Sequence, residues 1–468
     1  MQMKEIDVAF ASLPQLAALL RKRSISSVEL TKLFMARLER YGPRLNALAA
    51  MTRDRALAAA KRADADLANG VDRGSLHGIP YGVKDLLAAK GAPTAWGAQP
   101  YRGQVFDYDA TVIKKLESAG AVLVAKLAMI ELAGGMGYNQ ADASYLGPCR
   151  NPWNTGYWTG GSSSGPGAAV AAGLVPFAIG SETSGSIINP STYCGLTGLR
   201  PTYGRVSRHG AMALCWSMDK IGPMCRSAQD AAIVLNVIAG RDPADATSSR
   251  RPPPQAGTAK TRWRLATIKG ATKKVQPEVA KNFAASLKLV REFADIEEVA
   301  LPRYPYDAMV GAVIAAEGGA AFRGIIQDGR VQTLRDPDGR RGGYSYMVTY
   351  AVDYVDAMRE RAPLRQAFNK LFARYDALVA PSFATVALPI GVPFDKAYPG
   401  TEDGPLIPAC NLAGVPAVAV PNGTGRHGLP TGLSFVGRAF GESEILALAG
   451  DYQARSSFHR SRPPLAVG

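Results

Sequence analysis

Histidine is scarce in this chain. Only His77, His209, His427 and His459 occur among 468 residues. No Gly-x-Ser-x-Gly nucleophile elbow is read as pairing with any of them, which argues against a Ser-His-Asp hydrolase. Cysteine is nearly as rare. Cys149, Cys194, Cys215, Cys225 and Cys410 are odd in number and show no CxxC spacing. Neither a zinc site nor a disulfide framework is therefore expected, and free thiols of a reducing cytoplasm fit best. No apolar run reaches the roughly 18–20 residues needed to span a bilayer. The opening MQMKEIDVAF lacks a basic segment followed by a long apolar one, so no secretory signal is expected. Internal repeats and low-complexity tails are missing too. These absences point to a cytoplasmic enzyme or binding protein without a metal.

What is present is ordinary in bulk and unusual in charge. Apolar residues make up 47% and charged residues 20%, enough for a sizeable core. Lys and Arg outnumber Asp and Glu by 54 to 39, a formal net charge of +15. Basic pairs such as Lys114-Lys115 and Lys273-Lys274, and the triple Arg21-Lys22-Arg23, are scattered without interleaved aromatics. That pattern reads as a solvated basic surface, and no nucleic acid is expected.

The chemistry gathers in Thr159–Pro190, TGGSSSGPGAAVAAGLVPFAIGSETSGSIINP. Two Gly/Ser-rich loops, Gly160–Gly167 and Ser181–Ser186, bracket an apolar run that reads as a buried helix ending near Gly173 and then a short strand. Glycine lets backbone N–H groups converge on a small space, as an oxyanion cradle requires, and serine supplies hydroxyls for nucleophile or relay. A linker would not alternate with core at this spacing. A phosphate-binding loop would end in Gly-Lys-Ser/Thr, and neither loop does. Upstream, GIPYGVKD (Gly78–Asp85) reads as a strand entering the core with one lysine near its end. Burial among Ile79, Tyr81 and Val83 would lower the Lys84 pKa and make a base of it. A surface lysine with its stem on apolar neighbours is the equally good local alternative.

Taken together, these stretches resemble the amidase signature family of serine hydrolases. The resemblance extends to Arg150-Asn151-Pro152-Trp153 and to the region from Cys194 to Pro223. It covers most of the chain and is thinnest between about 245 and 375. It implies an α/β fold: a single large domain with a central twisted, mixed β-sheet flanked by α-helices. It assigns Lys84 as base, Ser162 as relay serine after a cis peptide bond, and Ser186 as nucleophile, 24 residues on. Thr183, Ser184 and Gly185, with Ser186 itself, would supply the oxyanion N–H groups, and Gly134, Gly135, Met136 and Ile188 would line the substrate pocket. No cofactor and no metal are implied. Glu182 and Ser184 depart from the family's usual Asp and Gly, and Ile188 stands where many relatives carry Arg. An apolar residue there is expected to disfavour a carboxylate-anchored substrate such as glutamine.

The expected organisation is a helical segment, 1–75, packed on a catalytic domain, 76–468, whose variable region, about 245–375, forms pocket wall or lid. Within it, EGGAAF (Glu317–Phe322) and RRGGYSYM (Arg340–Met347) are the expected specificity elements. In the helical segment Ser26 and Glu29 offer a capping box before a helix that Gly42-Pro43 is expected to stop, and an Ala-rich amphipathic helix is expected from about 45 to 67. Residues 241–262, rich in proline and charge, read as a surface connection. The expected activity is hydrolysis of an amide, anilide or carbamate through an acyl-serine, with ester cleavage as a side activity. The expected partner is a small-molecule substrate alone, with no nucleic acid and no membrane, for a monomer or homodimer. A glutaminase subunit of a tRNA-dependent amidotransferase is the first alternative, and a non-catalytic binding protein on the same scaffold the second.

Overall fold

A computed structural model describes residues 5–254 and 260–466. The strands in chain order are β1 (Leu48–Met51), β2 (Pro80–Lys84), β3 (Val122–Leu127), β4 (Arg150–Asn151), β5 (Asn154–Trp158) and β6 (Ala178–Glu182). They continue as β7 (Thr197–Arg200), β8 (Lys220–Cys225), β9 (Trp263–Ile268), β10 (Ala294–Val299), β11 (Ala377–Pro381), β12 (Ala417–Thr424) and β13 (Pro430–Gly437). All except the β4–β5 hairpin join one 11-stranded sheet in the order β1-β3-β2-β6-β8-β7-β12-β13-β11-β9-β10.

The sheet is mixed. β3, β2 and β6 run parallel to one another, as do β11, β9 and β10. Between these two groups, β6, β8, β7, β12, β13 and β11 alternate antiparallel. Every residue of β2, β3 and β8 is buried. Such strands, covered on both faces, read as continuous apolar runs rather than alternating ones. The α/β architecture anticipated from the sequence is thus the one observed.

The N-terminal third differs in detail from the sequence reading. The capping box at Ser26 and Glu29 is present, with Ser26 Oγ accepting from Glu29 N at 3.1 Å and Ser26 N donating to Glu29 Oε2 at 2.8 Å. That helix, Ser27–Leu45, runs past Gly42-Pro43 and closes at Asn46 in the left-handed conformation. The Ala-rich stretch 45–67, expected as one helix, divides into β1 and the helix Arg53–Ala68. Thr52 explains the division: its N–H donates to Val124 O at 3.0 Å and its hydroxyl to Leu123 O at 2.7 Å, tying the chain to β3. Pairing to a sheet edge here overrides alanine's helical preference. Residues 255–259 of the expected surface connection 241–262 lie outside the described residues.

Parallel β2 and β6 end at the same edge of the sheet, with Gly82 opposite Ala178 and Val83 opposite Ile179. Their carboxyl ends carry Lys84 and the loop beginning at Ser181. Such ends are where open α/β sheets place their ligands.

Candidate active site

Lys84 closes β2 and is fully buried. Its Nζ donates to Ser162 Oγ at 2.7 Å, to Ser181 Oγ at 2.9 Å and to Ser181 O at 3.4 Å. Burial pushes its pKa down to about 7, although the charges of Asp219 and Glu182 act to raise it. A desolvated amine of this kind is neutral for much of its population near pH 7 and can take a proton from a hydroxyl it touches.

Ser162 follows a cis peptide bond from Gly161 and is also fully buried. Gly160 before it has φ +81°, and a Cβ there would stand 2.5 Å from Asn189 Oδ1 and 2.9 Å from Pro190 Cα. Only glycine fits that approach. Asn189 Oδ1 accepts from Gly161 N at 2.9 Å, and Ser163 N donates to Ser186 O at 3.2 Å, so the two Gly/Ser loops are stitched together. Ser164–Ala171 then forms the small-residue helix, buried throughout. Gly161-Ser162-Ser163-Ser164-Gly165 does spell Gly-x-Ser-x-Gly, a match the sequence reading passed over. Its central Ser163 donates to Ser181 O at 3.1 Å and has no histidine beside it in its hydrogen bonds.

Ser186 lies between Gly185, at φ +93°, and the helix Ile188–Tyr193, and is almost buried. Glu182, at the end of β6, organises the turn. Its Oε2 accepts from Ile187 N at 2.9 Å and Ile188 N at 3.0 Å, while Oε1 accepts from Arg200 at 3.0 Å and Asn411 Nδ2 at 3.1 Å. Burial opposes its charge, but Arg200, Lys220 and the two backbone N–H groups outweigh it and bring the pKa to about 2. Glu182 thereby consumes the N–H groups just after Ser186. Among the described residues, those of Thr183, Ser184, Gly185 and Ser186 donate to no protein acceptor. N–H groups left without a protein acceptor are free to serve a developing oxyanion. No hydrogen bond joins the Ser162 and Ser186 hydroxyls in this structure; Lys84 reaches Ser162, and Ser186 is held by backbone.

Two cavities meet at this loop. A cleft of about 350 Å³ is lined by Gly161, Ser184 and Gly185 on one side and by Tyr138, Trp158 and Phe394 on another. Trp158 stacks on Phe394 with ring centroids 4.6 Å apart. A second cavity of about 230 Å³, behind the loop, is lined by Ser181, Thr183, Asp219 and Lys220. Asp219 accepts from Thr183 Oγ1 at 2.6 Å and from the N–H groups of Leu214 and Cys215, both at 2.9 Å. Among the described residues, no cluster of His, Cys, Asp and Glu is placed to hold a metal ion.

Gly134, Gly135, Met136 and Ile188, the residues expected to line the substrate pocket, are closely packed against neighbours. Met136 is core, and a Cβ on Gly134 or Gly135 would strike Tyr138 or Leu214. Ile188 is buried and borders a third cavity, of about 260 Å³, with Arg200 and Cys410. None of the four lines the 350 Å³ cleft. The sequence reading singled out neither Ser181 nor Arg200, Lys220 and Asn411. Ser181 was legible as a hydroxyl in the second loop. Lys220 and Asn411 touch across 191 positions, a separation no local pattern reports.

The Amidase family model matches residues 29–446. The chain belongs to the amidase family. A glutamyl-tRNA(Gln) amidotransferase subunit of Roseiflexus sp. (strain RS-1) is 38% identical, covering 96% of this chain and 97% of that protein. Its counterpart in Methylococcus capsulatus is 36% identical over 97% and 98%. Among solved structures, the peptide amidase of Stenotrophomonas maltophilia superposes with a TM-score of 0.84 at 30% identity, covering 98% of this chain and 99% of that one. The corresponding amidotransferase subunit of Thermotoga maritima gives 0.76 at 27% identity, covering 95% and 94%. The amidase family acts on C–N bonds. The expectation of a small-molecule partner alone, without nucleic acid, for a monomer or homodimer, does not stand. Full-length relatives are named as one subunit of an amidotransferase for glutamyl-tRNA(Gln). Scattered basic residues could not reveal this, because they serve solvation and attraction of a polyanion alike.

Proposed function

We propose that this amidase cleaves a primary carboxamide through an acyl-serine at Ser186 and serves as the ammonia-releasing subunit of an amidotransferase of the glutamyl-tRNA(Gln) type. The 2.7 Å contact between Lys84 and Ser162, beside four unpaired N–H groups, carries the chemistry. Identity of 35–38% along nearly the whole length supports the subunit role. The net charge of +15 suits a partner carrying nucleic acid.

In this reading neutral Lys84 takes the Ser162 proton and Ser162 takes that of Ser186. The last contact closes when substrate binds, since hydrogen bonds of this kind are often incomplete in free enzymes. Ser186 Oγ bonds to the carbonyl carbon, and the oxygen gains charge facing the N–H groups of Thr183, Ser184, Gly185 and Ser186. The C–N bond breaks, ammonia leaves with the relayed proton, and water releases the acid from Ser186. In this reading Ile188, which borders the 260 Å³ cavity and not the 350 Å³ cleft, does not exclude glutamine.

A second reading is amide hydrolysis in its own right, extending to anilides, carbamates or esters. The higher TM-score with the peptide amidase, 0.84 against 0.76, favours it. The deciding experiment measures ammonia release from glutamine by the full chain, with and without the remaining subunits of its host's amidotransferase, beside an anilide, an aryl carbamate and an aryl ester. Glutamine turnover stimulated by those subunits, and lost in Ser186→Ala, is the expected result. Turnover of the anilide or carbamate alone, unaffected by the subunits, would replace the first reading with the second.

A further inference from the structure

Two buried lysines flank the loop Ser181–Ser186, and the proposed reaction uses only Lys84. The other, Lys220, begins β8 opposite Glu182 in antiparallel register. Its Nζ donates to Asn411 Oδ1 at 2.7 Å and to Thr183 O at 3.4 Å. Asn411 is itself fixed, its Nδ2 donating to Glu182 Oε1 at 3.1 Å and to Ile407 O at 2.9 Å. The amine is therefore anchored at the distance it keeps from Thr183.

The Thr183–Ser184 peptide unit is part of the wall between the two cavities. Thr183 and Lys220 line the 230 Å³ cavity, whereas Ser184 and Gly185 line the 350 Å³ cleft. This peptide is trans, so its C=O and N–H point to opposite sides. A donor holding the Thr183 carbonyl from the rear cavity turns the Ser184 N–H toward the cleft. It also polarises the peptide and strengthens that N–H as a donor.

We propose that Lys220 is a positioning residue for the oxyanion hole: by holding Thr183 O from behind, it presents Ser184 N–H to the carbonyl oxygen that gains charge on acylation. This inference rests on the acyl-serine reading above. Lys220 touches neither the reacting atoms nor the cleft, and an amine donates to a carbonyl whether or not it carries its extra proton.

The test compares the full-length chain with Lys220→Met, Lys220→Gln and Ser186→Ala, using a 4-nitrophenyl ester as substrate and phenylboronic acid as a tetrahedral analogue. Lys220→Met is expected to lower kcat about 10- to 100-fold, since loss of an oxyanion donor costs about 100- to 1000-fold and misalignment costs part of that. KM should stay within about twofold, and boronate affinity should fall by the same factor as kcat. Lys220→Gln, which keeps a donor, should restore most of both. A merely structural role would weaken ester and boronate binding alike, which would overturn the proposal, as would wild-type kcat and boronate affinity in Lys220→Met. Should Lys220→Met not fold, Lys220→Gln decides: kcat and boronate affinity within about fivefold of wild type support a donor role, and a larger loss in a folded protein overturns it. Turnover surviving in Ser186→Ala would refute the acyl-serine reading instead. A silent Ser186→Ala beside a fully active Lys220→Met would refute only the role of Lys220.

Discussion

Lys84 Nζ stands 2.7 Å from Ser162 Oγ at the carboxyl end of a fully buried strand, with no water-accessible surface on either residue. Burial is the larger influence on this amine and lowers its pKa to about 7. As the proposed base it works only when neutral. The value of kcat/KM for an aryl ester should therefore rise with pH through about 7 and level off above it. A profile flat from pH 5 to 9 would show that another group accepts the proton.

The same burial has a cost in stability. An unfolded lysine holds its proton up to about pH 10.4, whereas Lys84 in the folded chain releases it near 7. Between those values the unfolded state binds more protons, so this group's contribution to stability rises with pH. Lys84→Met should abolish turnover yet raise stability at pH 7 by about 2–4 kcal/mol. The gain should shrink as unfolding is measured closer to pH 10.

Glu182 and Arg200 form a buried pair at 3.0 Å beneath the loop Ser181–Ser186. Removing one partner leaves the other charge without compensation, at a cost of about 3–5 kcal/mol. Glu182→Gln should lose stability on that scale at pH 7. Because the folded carboxyl titrates near 2, below its unfolded value near 4.3, the native chain should lose this contribution as pH falls from about 4.5 toward 2. Glu182→Gln should show a shallower acid slope in denaturant midpoints.

Gly165 sets packing against propensity. It lies in the helix Ser164–Ala171, where alanine would ordinarily gain up to about 1 kcal/mol. Here a Cβ would meet Ala128 N at 2.4 Å and the carbonyl oxygens of Ala128 and Ala47 at 2.6 Å. These are backbone atoms and cannot rotate away. Gly165→Ala should therefore destabilise by about 1–3 kcal/mol, read as a lower thermal midpoint, with activity falling as Ser162 shifts.

Short stretches of this chain carry its candidate chemistry in readable form. Two Gly/Ser loops around an apolar run, and one lysine at the end of an apolar strand, stood out because glycine, serine and a lone cation among apolar neighbours are local signals, whereas their roles came from the family resemblance. The capping box at Ser26 and Glu29 was legible for the same reason. Features that depend on distant partners were not. Thr52 draws an alanine-rich segment out of a helix by bonding to β3, about 70 residues away. Arg200, Asn411 and Lys220 gather on Glu182 and Thr183 from strands and a helix far apart in the chain. Ile188, adjacent to the site in sequence, is buried and borders the 260 Å³ cavity, while its N–H is held by Glu182 at the start of a helix. Position along the chain fixes only which groups belong to the loop Ser181–Ser186 itself; the packing of the sheet decides which distant groups join it and which face the cleft.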